Sequence, residues 1–199
     1  MKLKLTIIFI SLFLVSCSIL SPVKTSDMKE YVVNKIPNTY AKKHRTDATL
    51  QVARPVSNSV YDLREMAYST SAHKINYFAK NRWAATPASM LHPLIQESLQ
   101  KTNYFKAVAP TKGLGSYRYT LNTQILEFKQ IFYGDKKSAF KLKVRAQLIQ
   151  TATSKVISSR EFNITETAPS CDPYGGVVAA NKATEVMLGK LSAWVVGNL

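Results

Sequence analysis

Phe140-Lys141-Leu142-Lys143-Val144-Arg145-Ala146-Gln147-Leu148 alternates apolar and polar residues without a break. A strict period of two marks a strand with one face on a core and the other in solvent. After it the chain turns near Ala152–Ser154 and extends again from Val156 to Thr165. A hairpin centred on Thr153 sets Leu142 against Ile164 and Val144 against Phe162, and on the outer face Arg145 meets Glu161. Apolar and opposite-charge partners stabilise an antiparallel pair, so the residues themselves select this register. Before it, Gly134-Asp135-Lys136-Lys137 is a turn and a long strand begins at Tyr117. Tyr119, Leu121, Thr123 and Ile125 share one face of that strand, whereas Leu126 and Phe128 fall on the other. The change of parity predicts a bulge near Ile125-Leu126. A three-strand meander results.

Further towards the N-terminus, Ala48, Leu50 and Val52 alternate with Thr49, Gln51 and Ala53, a strand that stops at Pro55. Residues 57–71 are mixed and polar and predict no regular element. Lys74 to Trp83 is a second extended piece carrying Ile75, Tyr77 and Phe78. Thr86-Pro87 supplies an N-cap and a first-position proline for a helix over 87–102. Leu91, Leu94, Ile95, Ser98 and Leu99 share one face of it, although Pro93 stands in the second turn, where proline costs a backbone bond. Tyr104 to Val108 reads as a short strand, and Thr111 to Ser116 as a turn too short for a phosphate-binding loop. After the meander, Asp172-Pro173 opens a last helix with Ala180, Ala183, Met187, Leu191 and Trp194 on its core side. The expected fold is α+β: a largely antiparallel sheet with two main helices packed on one face. Trp83 and Trp194 are expected core anchors.

The chain begins with Lys2 and Lys4, an apolar run from Leu5 to Val15, and then Leu14-Val15-Ser16-Cys17. Charged, apolar and small-residue regions in that order form an export signal. A cysteine at the cleavage point makes it a lipobox, with Cys17 acylated (diacylglyceryl on sulfur, palmitate on the amine) and left as the first mature residue. The alternatives are an ordinary cleaved signal and a membrane span, but a span needs roughly 20 apolar residues. Ser18, rather than Asp, directs the expected location to the outer membrane, facing the periplasm. The expected organisation is residues 1–16 signal peptide, 17–47 lipidated N-terminus and tether, and 48–199 the α+β domain, with contacts near Tyr31–Val33 or Tyr40 where the tether docks.

Twenty-seven Lys and Arg against 12 Asp and Glu give the chain +15, and loss of Lys2 and Lys4 leaves +13. Export argues against nucleic acid as the partner and favours acidic headgroups or an acidic protein. Lys136, Lys137, Lys141, Lys143 and Arg145 make a basic edge. It is either a contact for anionic headgroups or a partner, or the charged solvent face of an amphipathic strand guarded against edge pairing. Cys171 has no second cysteine to pair with once Cys17 carries lipid, and is read as an inert thiol. His44, His73 and His92 are dispersed, no metal-ligand spacing exists, and no G-x-S-x-G elbow is present. No catalysis and no cofactor beyond the covalent lipid are expected.

The lipobox, Ala48-Thr49-Leu50-Gln51-Val52, Ile75-Asn76-Tyr77, Trp83-Ala84-Ala85-Thr86-Pro87 leading into Met90-Leu91, Leu99 and the Tyr104-Phe105 to Val108 stretch form a pattern. With these residues the chain resembles the auxiliary lipoproteins of ABC-type transport systems over most of 48–195. The long polar segment between Pro55 and Lys74 and the high basic charge depart from that pattern. The resemblance implies a non-catalytic outer-membrane component that docks an MCE-domain periplasmic protein served by an ABC permease and ATPase, as a homo-oligomeric ring. The rival class is a structural or assembly lipoprotein of an outer-membrane β-barrel, lipopolysaccharide-export or secretion complex.

Overall fold

The strand Tyr119–Phe132 is the spine of the sheet. The structure is a computed structural model that describes residues 27–40, 43–109 and 116–199. Cys17 and the turn at Thr111–Gly115 therefore lie outside the described residues. In chain order the strands are β1 (Lys29–Tyr31), β2 (Thr49–Val52), β3 (Val56–Ser57), β4 (Glu65–Ser69), β5 (Asn76–Trp83), β6 (Ala107–Ala109), β7 (Tyr119–Phe132), β8 (Ser138–Gln150) and β9 (Lys155–Thr167). Helix α1 (Pro87–Lys101) follows β5, helix α2 (Pro173–Gly197) follows β9, and a 3-10 turn spans Ser59–Tyr61.

One edge of β7 runs antiparallel to β8 along its whole length. The other edge takes β2, β3 and β4 in succession, all parallel, opposite Tyr119–Leu121, Gln124-Ile125 and Gln130-Ile131. β6 adds to β2 and β1 adds to β5, again in parallel, while β4 with β5 and β8 with β9 are antiparallel. The sheet is thus mixed rather than largely antiparallel. The parallel pairs join segments far apart in the chain, which only crossover connections can supply, and short-range hairpin logic does not reveal them. The α+β class itself holds.

The meander forms as its residues dictate. Leu142 pairs with Ile164, Val144 with Phe162 and Arg145 with Glu161. The bulge falls between Ile125 and Glu127. Leu121, Ile125, Phe128, Leu142, Val144 and Leu148 are buried on the inner face, where α2 crosses β8 and β9. Trp83 packs edge-on against Phe128 at 5.4 Å between ring centres, and Trp194 against Phe162 at 5.9 Å. Both helices start as read. Thr86 Oγ1 accepts from Ser89 N at 3.4 Å, and Asp172 Oδ1 accepts from Gly175 N at 2.6 Å. Helix α1 runs through exposed Pro93.

Two local readings change. Tyr104 and Phe105 are not in a strand; they are buried in a bend, their rings edge-on at 5.0 Å, and β6 begins only at Ala107. Glu65–Ser69 is a strand inside the polar stretch that gave no signal, because Met66 and Ala67 are both buried there and the alternation is lost.

The segment before β2 lies on the domain. β1 is a sheet strand, and Val33 is buried beyond it. Asn181 of α2 clasps the chain: its Oδ1 accepts from Asn34 N and Lys35 N at 3.0 and 3.2 Å, and its Nδ2 donates to Val32 O at 3.1 Å. Further on, Tyr40 donates to Ser98 Oγ at 3.4 Å and Lys43 Nζ to Val196 O at 3.0 Å. Residues 32–40 and Lys43 thus form a strap, held by α2 at Asn181 and Val196 and by α1 at Ser98.

Candidate functional site

Alternate residues of a strand point to opposite faces, so Lys141, Lys143 and Arg145 stand on the side of β8 away from the helices. They are not free cations. Lys141 Nζ lies 2.8 Å from Glu127 Oε2, Lys143 Nζ 2.7 Å from Glu161 Oε2, and Arg145 Nη2 2.6 Å from Glu161 Oε1. Hydrogen bonds from Lys143 and then Arg145 hold the Glu161 carboxyl below its ordinary range. Such half-exposed pairs fix register and mask charge more than they stabilise.

Lys136 and Lys137 belong to a different place. They are exposed in the β7–β8 turn, which Gly134 opens with φ 76° and which closes through Tyr133 N donating to Lys137 O at 2.7 Å. Among the described residues they take part in no ion pair. The five residues read as one basic edge are therefore two surfaces, a neutralised stripe and a basic turn.

Two cavities flank these surfaces. One of about 440 Å³ lies on the outer face between Arg54, Arg145, Asn122, Gln124 and Gln147. The larger, about 670 Å³, lies between the β4–β5 and β7–β8 turns; Lys74 and Lys129 line it together with Ile75, Ile131, Phe132 and Tyr133. Next to it Tyr68, Phe78 and Phe132 form an aromatic cluster, with Tyr68 and Phe78 stacked at 4.5 Å. The sequence hid this groove because its two walls, residues 69–75 and 129–134, are far apart in the chain.

Cys171 is a free thiol, partly exposed, just before the Asp172 cap. His92 is structural: its Nε2 lies 3.0 Å from Val52 O and 2.8 Å from Gln96 Nε2. Among the described residues no three His, Cys, Asp or Glu side chains could hold a metal ion. No helix among them is long and apolar enough to cross a membrane.

The model of a family described as "ABC-type transport auxiliary lipoprotein component" matches residues 31–190. The chain belongs to this family. The match starts at the last residue of β1 and takes in the strap, the remaining strands and most of α2. No curated protein matches its sequence. Among solved structures, a Xanthomonas campestris protein of the DUF330 family superposes with a TM-score of 0.76 at 19% identity, covering 85% of this chain and 96% of that one. A hypothetical protein from Chlamydia trachomatis superposes with a TM-score of 0.53 at 10% identity, covering 77% of this chain and 98% of that one. At these identities the likeness concerns the fold alone.

Proposed function

We propose that this auxiliary lipoprotein is a non-catalytic docking component held at the outer membrane by acyl chains on Cys17. It faces the periplasm and receives an MCE-domain protein served by an ABC permease and ATPase. The family match over residues 31–190 carries the reading, and the lipobox Leu14-Val15-Ser16-Cys17 supports it. Its part in transport is positional: the lipid fixes one end and the α+β body, as a ring of copies, binds the tip of the partner. Two or more acyl chains are needed for such an anchor, since one holds only marginally.

The test is affinity capture of the lipidated protein from membranes, read by mass spectrometry, beside Cys17→Ala. Recovery of an MCE-domain protein with its permease and ATPase is the expected result. Recovery of a β-barrel or secretion apparatus without them overturns the transport role, and unchanged membrane partitioning of Cys17→Ala overturns the anchor.

A further inference from the structure

We infer that the end of the domain bearing the β4–β5 and β7–β8 turns rests on the bilayer, with its lysines and tyrosines among the lipid headgroups. The inference rests on the lipid anchor proposed above and adds which face meets the membrane.

Strand direction carries it. β1 runs parallel to β5 with Lys29 beside Asn81 and Tyr31 beside Trp83. Followed backwards from Lys29, the chain therefore heads towards Asn76 and the β4–β5 turn. Tyr68 pairs with Asn76, Ser69 with Ile131 and Phe132 with Ser138, so the β7–β8 turn lies at that same end. The start of α2 joins them: Gln130 Nε2 donates to Asp172 O at 3.1 Å and Ser138 Oγ to Ser170 O at 3.3 Å. Cys17 and Asp27 are ten Cα steps apart, with nine residues between them. Even fully extended they span about 35 Å, so the bilayer lies close to where the chain leaves β1.

The surface at that end has membrane-interface chemistry. Tyr133 is 54% exposed and Tyr174 60%. Tyrosine favours the headgroup layer, where its ring is sheltered and its hydroxyl is wet. Lys74 lines the same groove as Tyr133, and Lys136 and Lys137 are exposed in its turn with Asp135, whereas Tyr174 sits at the start of α2 with its ring 6.1 Å from that of Tyr31. Lysines near an anionic leaflet are attracted to it within a Debye length. The 670 Å³ groove between the two turns, with Lys74 and Lys129 over an apolar floor, is open to receive a phosphate headgroup. The opposite end, at the β8–β9 turn around Thr153, is left to face the periplasm.

The experiment places one new tryptophan at each end of the lipidated full chain, Tyr133→Trp or Thr153→Trp, in phosphatidylethanolamine–phosphatidylglycerol vesicles doped with brominated lipid. Trp83 and Trp194 are buried and set the background. The expected result is quenching of Tyr133→Trp above background and none of Thr153→Trp. A chain that floats with the vesicles but shows the reverse pattern, or no quenching at either site, overturns the orientation alone, as it would if this end met an acidic protein instead. A lipidated chain that does not float overturns the anchor and the inference with it. In the Cys17→Ala chain, binding to the same vesicles should weaken about fivefold for each of Lys74, Lys136 and Lys137 changed to Ala; no change at any of the three overturns the headgroup contact.

Discussion

Gly176 leaves room for Gln130. A methyl group at position 176 would fall well inside contact distance of Gln130 Oε1. Gln130 is buried in β7, and its amide nitrogen reaches Ser138 Oγ at 2.9 Å and Asp172 O at 3.1 Å. One side chain thereby ties the spine of the sheet, the start of β8 and the first turn of α2. Gly176→Ala should destabilise by about 1–3 kcal/mol through overpacking. Denaturant midpoints check this, and Gln130→Ala should remove most of the added cost in the double variant. An additive double variant would deny the contact.

Asn181 holds the strap, so Asn181→Ala should free it without opening the core. The loss should be about 1 kcal/mol, because the released amides of exposed Asn34 and Lys35 can turn to water. Hydrogen exchange should quicken at residues 34 and 35 and stay slow in β7 and β8. Uniform quickening would mean the strap and the domain open together.

The outer-face pairs predict an acid limb. Glu161 is held below its ordinary value of 4.5 by Lys143 and Arg145. A carboxylate whose folded pKa is depressed contributes its stability above the unfolded value and loses it as the pH falls through the folded one. Carboxyl NMR should show a Glu161 midpoint below 4.5, moving back up in Arg145→Ala and Lys143→Ala. An unmoved midpoint would show that these pairs are broken in solution.

Tyr61 sets an alkaline limb. Burial, then the nearby Glu127 charge and Tyr77, push its phenol from 10.0 up to about 12. A group whose folded pKa is raised keeps its full contribution below the unfolded value and loses it as the pH climbs to the folded one. Stability should therefore fall between 10 and about 12, with one phenolate appearing late in the ultraviolet titration. Tyr61→Phe should remove the late phenolate and flatten that part of the curve.

The local pieces of this fold are legible in the order of its residues. Alternation fixed the β8–β9 register down to Arg145 and Glu161, a parity change located the bulge near Ile125, and Thr86 and Asp172 started the helices. Each signal works through neighbours a few residues apart, so it is written in the order of the chain. Long-range contacts alone set β2, β3 and β4 in parallel on one edge of β7, made Lys29–Tyr31 a sheet strand, and divided the basic edge into a paired stripe and an exposed turn. Parallel pairing, a strap clasped by Asn181 and charges offset by carboxylates from neighbouring strands all depend on partners distant in the chain. No local pattern encodes such a partner; it is fixed only when the hydrophobic faces close on one core.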